Sequence, residues 1–282
     1  MAAQDVLIVV LGLVFGSFAN VLIARLPSGE SIGGRSRCPG CGHELGILDL
    51  LPLVSWLLLR ARCRYCRMPI SARYPVVELL VAAVFLVTWR AAGPGLMPAV
   101  LHLVYALAMI VILFTDFERA IIPNVVVIPV AGLALVAAVF GLDPWGPSAL
   151  AGIATALVGA GLFLVLFIVS GGGGMGMGDV KLMLFLGLAL GPLKVLLAVL
   201  SGSVVALALA AVILVFFRRR LQGLRSVSVS LDDEEEPEIE DRFLGVMIIN
   251  GKPAVPLGTF LALGYFFAYF WGDAAIRLWL GF

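Results

Sequence analysis

Charge is what this sequence has least of. Charged residues make up 13% of its 282 positions and hydrophobic residues 62%, and the mean hydropathy is +1.11. An ordinary soluble domain is about a quarter charged, so a soluble cytosolic enzyme is excluded, as is extended disorder. The net charge of +1 supplies no field that would draw a nucleic acid. The apolar amino terminus has no basic flank ahead of it and no Ala-x-Ala site behind it, so it is expected to be an anchor and not a cleaved signal. Nor does any glycine run sit in the strand–turn–helix setting of a dinucleotide-binding fold.

What is present is a series of apolar stretches. Residues 6–26, 75–92, 97–115, 121–140, 148–170, 179–191, 193–217 and 254–280 each read as a membrane helix, a span needing about 20 apolar residues. The expected fold is an all-α polytopic membrane protein of about eight transmembrane helices, with a cytoplasmic zinc-ribbon-like loop. The stretch 179–191 is short and ends at Gly191-Pro192. Arginines concentrate in two connections: Arg35, Arg37, Arg60, Arg62, Arg64, Arg67 and Arg73 after the first span, and Arg218, Arg219, Arg220, Arg225 and Arg242 before the last. With eight spans both connections fall on one side, which the positive-inside rule makes cytoplasmic. The chain then divides into a first transmembrane helix (1–26), a zinc-binding loop (27–74), a transmembrane core (75–217), a charged linker (218–253) and a last helix (254–282).

All four cysteines lie in the first of these connections, as Cys38-Pro39-Gly40-Cys41 and Cys63-Arg64-Tyr65-Cys66. Two Cys-x-x-Cys pairs 21 residues apart can present four thiolates tetrahedrally to one zinc ion. Disulfides are disfavoured in a reducing cytosol. A closed shell of four sulfurs leaves no open position, so the metal is expected to hold the loop together and not to react. His43 reads as a solvated loop residue.

Acids are scarce enough to sort by elimination. Eight of the eighteen lie in the run 232–241, which reads as a solvated linker. Glu30, Glu44 and Asp49 belong to the cysteine loop, and Asp5, Asp143 and Asp273 to the outer face. Glu78, Asp116, Glu118 and Asp179 remain near cytoplasmic span ends. Glu78 reads as a first-turn acid favoured by the helix dipole, Glu118 as an interfacial charge beside Arg119, and mid-span His102 as a hydrogen-bonded packing residue. Asp116 closes the third span, and Asp179 ends a glycine run and opens a helix with Val180-Lys181-Leu182. An ionisable group at the hydrocarbon boundary is a functional candidate. Two facing carboxylates can share a proton, one activating water while the other polarises a peptide carbonyl. The residues alone leave open that both aspartates are helix caps. The alternative reading, a membrane transporter that uses them as ion sites with a cytosolic zinc-ribbon regulatory loop, predicts carboxylates near mid-membrane and an internal repeat, and the sequence has neither.

Several motifs decide between these readings. Gly16-Ser17-Phe18-Ala19-Asn20-Val21-Leu22-Ile23-Ala24-Arg25-Leu26-Pro27, the two cysteine pairs and Ile70-Ser71-Ala72-Arg73-Tyr74-Pro75-Val76-Val77-Glu78-Leu79 resemble the amino-terminal part of type IV prepilin peptidases. So do Asp116 with Ile122-Pro123-Asn124, and Gly174-Met175-Gly176-Met177-Gly178-Asp179, which contains the Gly-x-Gly-Asp signature of membrane aspartic proteases. A weaker echo lies in Pro256-Leu257-Gly258-Thr259. Departures include Asn124, where the family often has aspartate.

The resemblance implies a bifunctional enzyme of the bacterial inner membrane with its active site facing the cytoplasm. It would cut the leader of type IV prepilins and type II secretion pseudopilins after a glycine, then N-methylate the new amino terminus with S-adenosylmethionine. It carries the catalytic role to Asp116 and Asp179 and structural zinc to Cys38, Cys41, Cys63 and Cys66. Gly176, Gly178 and Lys181 are expected at the substrate loop, and Asn20 and Arg25 at the methyl donor. Expected partners are prepilins, pseudopilins and membrane lipid, with no nucleic acid; the oligomeric state is left open.

Overall fold

The computed structural model describes residues 3–93, 95–171, 175–224, 239–243, 246–249, 252–254 and 256–280. Among them are eight α-helices: α1 (Ala3–Arg25), a short α2 (Val54–Leu58), α3 (Arg73–Ala91), α4 (Leu96–Arg119), α5 (Asn124–Phe140), α6 (Ala149–Val169), α7 (Met177–Leu224) and α8 (Leu257–Leu280). Six are long and apolar enough to cross a membrane: α1, α3, α4, α6, α7 and α8. The apolar part of α7, Met177–Val212, runs 36 residues, about 54 Å of helix against a hydrocarbon core of about 30 Å. It does not run straight. Gly191 takes φ 71° and ψ −177°, which interrupts the helix, and Pro192 has no N–H with which to mend it. The break falls where the sequence expects one span to end and the next to begin. With the shorter apolar α5, each of the eight expected apolar segments coincides with a helix or half of α7, although the last helix starts at Leu257 and Ala254 belongs to a strand.

The chain forms two compact units, Met1–Val111 with Leu142–Pro144, and Ile112–Gly141 with Trp145–Phe282. The first is built on an antiparallel seam between α1 and α3. A Cβ placed on Gly12 would lie 2.5 Å from the Ala82 Cα, and one on Gly16 would lie 2.6 Å from the Glu78 Cα. One turn further on, the Asn20 Nδ2 donates to the Tyr74 carbonyl at 3.1 Å. Each pair advances four residues along both helices, so one stripe of small residues brings the backbones together and ends on a polar clasp. At the other end Arg90 pairs with Asp5 at 2.9 Å. Gly16→Val should overpack this seam by about 1–3 kcal/mol. That outcome would be read as a lowered unfolding temperature of the purified protein in detergent.

His102 on α4 meets Asp143 at 2.9 Å, both nearly buried, which matches its expected role as a hydrogen-bonded packing residue. Glu78 differs from expectation. It does not serve the helix dipole but is buried, with its Oε2 accepting the Leu53 N–H at 2.9 Å and Ser17 as a further partner. Leu53 holds φ 58°, so Glu78 fixes a strained turn of the cysteine loop.

In the second unit α7 packs on α6 and on α8. Gly187 lies against Ala156, Gly264 against Ala198 and Gly202 against Phe260. These close crossings bring the first turn of α8 to the end of α4. Between α7 and α8, β1 (Ile239–Phe243), β2 (Val246–Ile249) and β3 (Lys252–Ala254) form an antiparallel sheet in that order. The segment 218–253, read from sequence as a linker, thus contains the end of α7 and three strands. The part of the acidic run before residue 239 lies outside the described residues.

Candidate active site and cysteine cluster

α4 ends at Arg119, and Ala120 turns left-handed at φ 52° with its N–H on the Asp116 carbonyl. The turn reverses the chain into Ile122 and Pro123 and leaves Asp116 pointing inward, 5% exposed. Its Oδ2 accepts the Thr259 N–H at 2.6 Å and the Thr259 hydroxyl at 3.1 Å. Thr259 lies in the first turn of α8, whose amides have no intrahelical acceptor, so a carboxylate there completes that helix terminus. A Cβ on Gly258 would stand 3.0 Å from the same Oδ2 and 2.7 Å from the Ile122 Cδ1. Glycine at 258 is what lets α8 reach the carboxylate.

Asp179 is equally buried, at 6% exposed. Its Oδ2 accepts the Gly176 N–H at 3.0 Å while its own N–H bonds the Gly176 carbonyl at 3.1 Å, a reciprocal turn that opens α7. A Cβ on Gly178 would fall 2.8 Å from the Ile122 Cβ. Ile122 is therefore the wedge on which the starts of α7 and α8 both close. The turn that carries Asp179 and the one that clasps Asp116 thus close on the same side chain. The Asp179 Oδ1, buried, has no hydrogen-bond partner among the described residues. An uncompensated oxygen on a buried carboxylate is costly.

Of the expected substrate-loop residues, Gly176 and Gly178 form this turn. The Lys181 Nζ donates to the Asn124 Oδ1 at 2.8 Å, tying α7 to the start of α5. Sequence reasoning passed over Thr259, Gly258 and Ile122 as site residues; the resemblances at Pro256-Leu257-Gly258-Thr259 and Ile122-Pro123-Asn124 were the signals that pointed there.

In the first unit the four cysteine sulfurs lie within 4.8 Å of one another, with Cys38 and Cys66 at 3.7 Å. Four Zn–S bonds of about 2.3 Å at tetrahedral angles separate sulfurs by about 3.8 Å, so the cluster fits zinc. The two knuckles repeat one another. The Cys38 N–H bonds the His43 carbonyl and the Gly42 N–H the Cys38 carbonyl; Cys63 with Met68, and Arg67 with Cys63, do the same. N–H groups of Cys41 and Gly40 aimed at Cys38 bring its thiol down to about 6, favouring the thiolate that binds metal. Arg64 holds the Asp49 carboxyl below the usual carboxylate range and ties the second knuckle to the preceding turn at 2.7 Å. His43 stacks on Tyr65 with ring centroids 3.6 Å apart.

The two expected methyl-donor residues part company. Arg25 gives its guanidinium to the carbonyls of Ser31, Ile32, Gly33 and Arg35, which makes it an organiser of the loop. Asn20 keeps its Oδ1 buried and unbonded among the described residues.

Residues 10–91 match the family described as the Bacterial Peptidase A24 N-terminal domain, and residues 103–211 the Type IV leader peptidase family. A prepilin leader peptidase/N-methyltransferase of Stutzerimonas stutzeri is 32% identical over 306 residues, covering 97% of this chain and 92% of the relative. The chain belongs to the type IV leader peptidase family. A relative of the same name from Pseudomonas aeruginosa is 31% identical with the same coverage. One from Myxococcus xanthus is 47% identical, over 46% of this chain and 39% of its own length. No solved structure matches the chain. The two matched ranges take in Asp116, Asp179 and the cysteine loop. Thr259 and Gly258, which complete the surroundings of Asp116, fall beyond residue 211, where the second range ends. Relatives of this kind give the transporter reading no support.

Proposed function

We propose that this multi-pass membrane protein cuts the leader from type IV prepilins and type II secretion pseudopilins after a glycine, and N-methylates the amino terminus so released. The names borne by the relatives support both activities. The observation that carries the chemistry is the buried, unbonded Oδ1 of Asp179, on a turn that closes on the same Ile122 as the α8 turn clasping Asp116. Paired carboxylates can share one proton. One removes a proton from water as it attacks the scissile carbonyl; the other donates a proton to that carbonyl oxygen. Thr259 fixes the orientation of Asp116, and the Gly176–Asp179 turn fixes that of Asp179. A glycine before the scissile bond lets the substrate backbone come close while its apolar helix stays in lipid. The arginine bias of the connections supports an inner-membrane protein whose site faces the cytoplasm.

The fit of its sulfurs supports zinc in the cysteine cluster, as a closed structural site. S-adenosylmethionine, when bound, supplies the methyl group, and Asn20 with its spare acceptor is the residue that we assign to the donor. Full-length enzyme incubated with a prepilin and a labelled methyl donor should yield a shortened, labelled product. An untouched prepilin would remove the assignment, and a shortened unlabelled one would remove its second half.

Thr259→Val keeps the backbone bond to Asp116 and deletes the hydroxyl bond. A hydrogen bond to a charged group contributes about 1.5–3 kcal/mol, so kcat for leader cleavage should fall at least about tenfold with KM little changed. Steady-state cleavage of a prepilin checks this split.

A further inference from the structure

We propose that the cysteine loop carries a binding site for the headgroup of an anionic phospholipid, formed by Arg60, Arg62 and Arg67. Between the end of α1 and the start of α3 the loop has six arginines. Arg35 and Arg37 pair with Glu44, and Arg64 pairs with Asp49. The three with no carboxylate partner among the described residues are also the three that line one cavity of about 650 Å³, together with Leu58 and Leu59. A pocket lined by three arginines and two leucines fits a phosphate with acyl chains attached.

The backbone at this cavity departs from the rule that side chains avoid left-handed angles. Arg60, Ala61 and Arg67 hold φ of 51°, 59° and 64°. Arg67 stands where the first knuckle has Gly42, itself left-handed at φ 69°. Glycine would fit the second knuckle without strain, yet an arginine is there and faces the cavity. Strain kept at a charged pocket points to a ligand.

An apolar face adjoins the pocket. Ile47 is 84% exposed and Leu58 78%, with Leu48, Val54 and Leu57 also exposed. Val54, Leu57 and Leu58 share one side of α2 by helical spacing. A loop tied at both ends to membrane-crossing helices, α1 and α3, has the lipid surface as its nearest apolar partner, and anionic headgroups complement its unpaired arginines.

The test is hydrogen exchange on full-length zinc-loaded enzyme in nanodiscs of phosphatidylcholine, with and without phosphatidylglycerol. Three interfacial arginines favour an anionic surface by roughly 10²-fold, so residues 47–62 should exchange at least about tenfold more slowly in the anionic discs. The contrast should vanish in Arg60→Gln/Arg62→Gln/Arg67→Gln and largely persist in the corresponding triple lysine substitution. Equal exchange in both discs, or a contrast that survives the glutamine substitutions, overturns the proposal. So does inorganic phosphate if it reproduces the protection in phosphatidylcholine alone. Should the glutamine variant lose zinc, Leu57→Ser/Leu58→Ser decides: it leaves every arginine in place, and an unweakened contrast there also overturns the lipid site.

Discussion

Asp116→Asn and Asp179→Asn should each abolish leader cleavage while leaving membrane insertion and helix content intact. Asparagine matches aspartate in shape. At position 116 its amide oxygen can still accept the Thr259 N–H that now falls on Asp116 at 2.6 Å. What it lacks is the ability to take a proton from water or hand one to a carbonyl oxygen. A positioned acid or base contributes about 10²–10⁴-fold, so each single variant should be slower by about 10³-fold or more. Because the pair acts as a unit, the double variant should be scarcely worse than either alone. Methyl transfer to a peptide that already has the mature amino terminus should continue. Timed cleavage of a prepilin, with methylation of the precut peptide as control, makes the measurement. Wild-type processing by either variant would end the paired mechanism.

Removing zinc should have the opposite selectivity. One zinc per chain is expected, and binding of a structural zinc contributes on the order of 10–16 kcal/mol to the fold of a small domain. The cysteine loop has little else with which to hold its two knuckles together, since Ile47, Leu48, Leu57 and Leu58 are exposed and build no core. Chelation or Cys63→Ser should therefore loosen the loop and take methylation to background, while cleavage at Asp116 and Asp179 largely survives. Substitution at buried Cys38 or Cys63 should be more damaging than at exposed Cys41 or Cys66. Zinc content by mass spectrometry, followed against both activities, checks the order. Full methylation by zinc-free enzyme would contradict the structural role.

Much of this was legible because the responsible residues are close in sequence. The two Cys-x-x-Cys knuckles are each complete within four positions, and the Gly176–Asp179 turn is closed by bonds three residues apart. Apolar length and arginine placement likewise gave the spans, and Gly191-Pro192 gave the break in α7. The partners of the aspartates were another matter. Thr259 reaches Asp116 across 143 positions, and only the packing of α8 against α7 brings it there. Arg25 looked available for a ligand because carbonyl acceptors leave no mark in a sequence. Glu78 suggested a dipole effect until the Leu53 N–H was found on it. The small sheet was hidden by neighbouring acids, although Val246-Met247-Ile248-Ile249 has a strand's composition.

The clasp of Asp116 by Thr259 has a temporal consequence. Residue 259 leaves the ribosome 143 positions after Asp116, so until α8 has been made that carboxylate lacks the donors that orient it. On the proposed paired mechanism, the nascent chain should stay proteolytically silent until α8 has inserted, and a chain cut short before α8 should leave prepilin uncut.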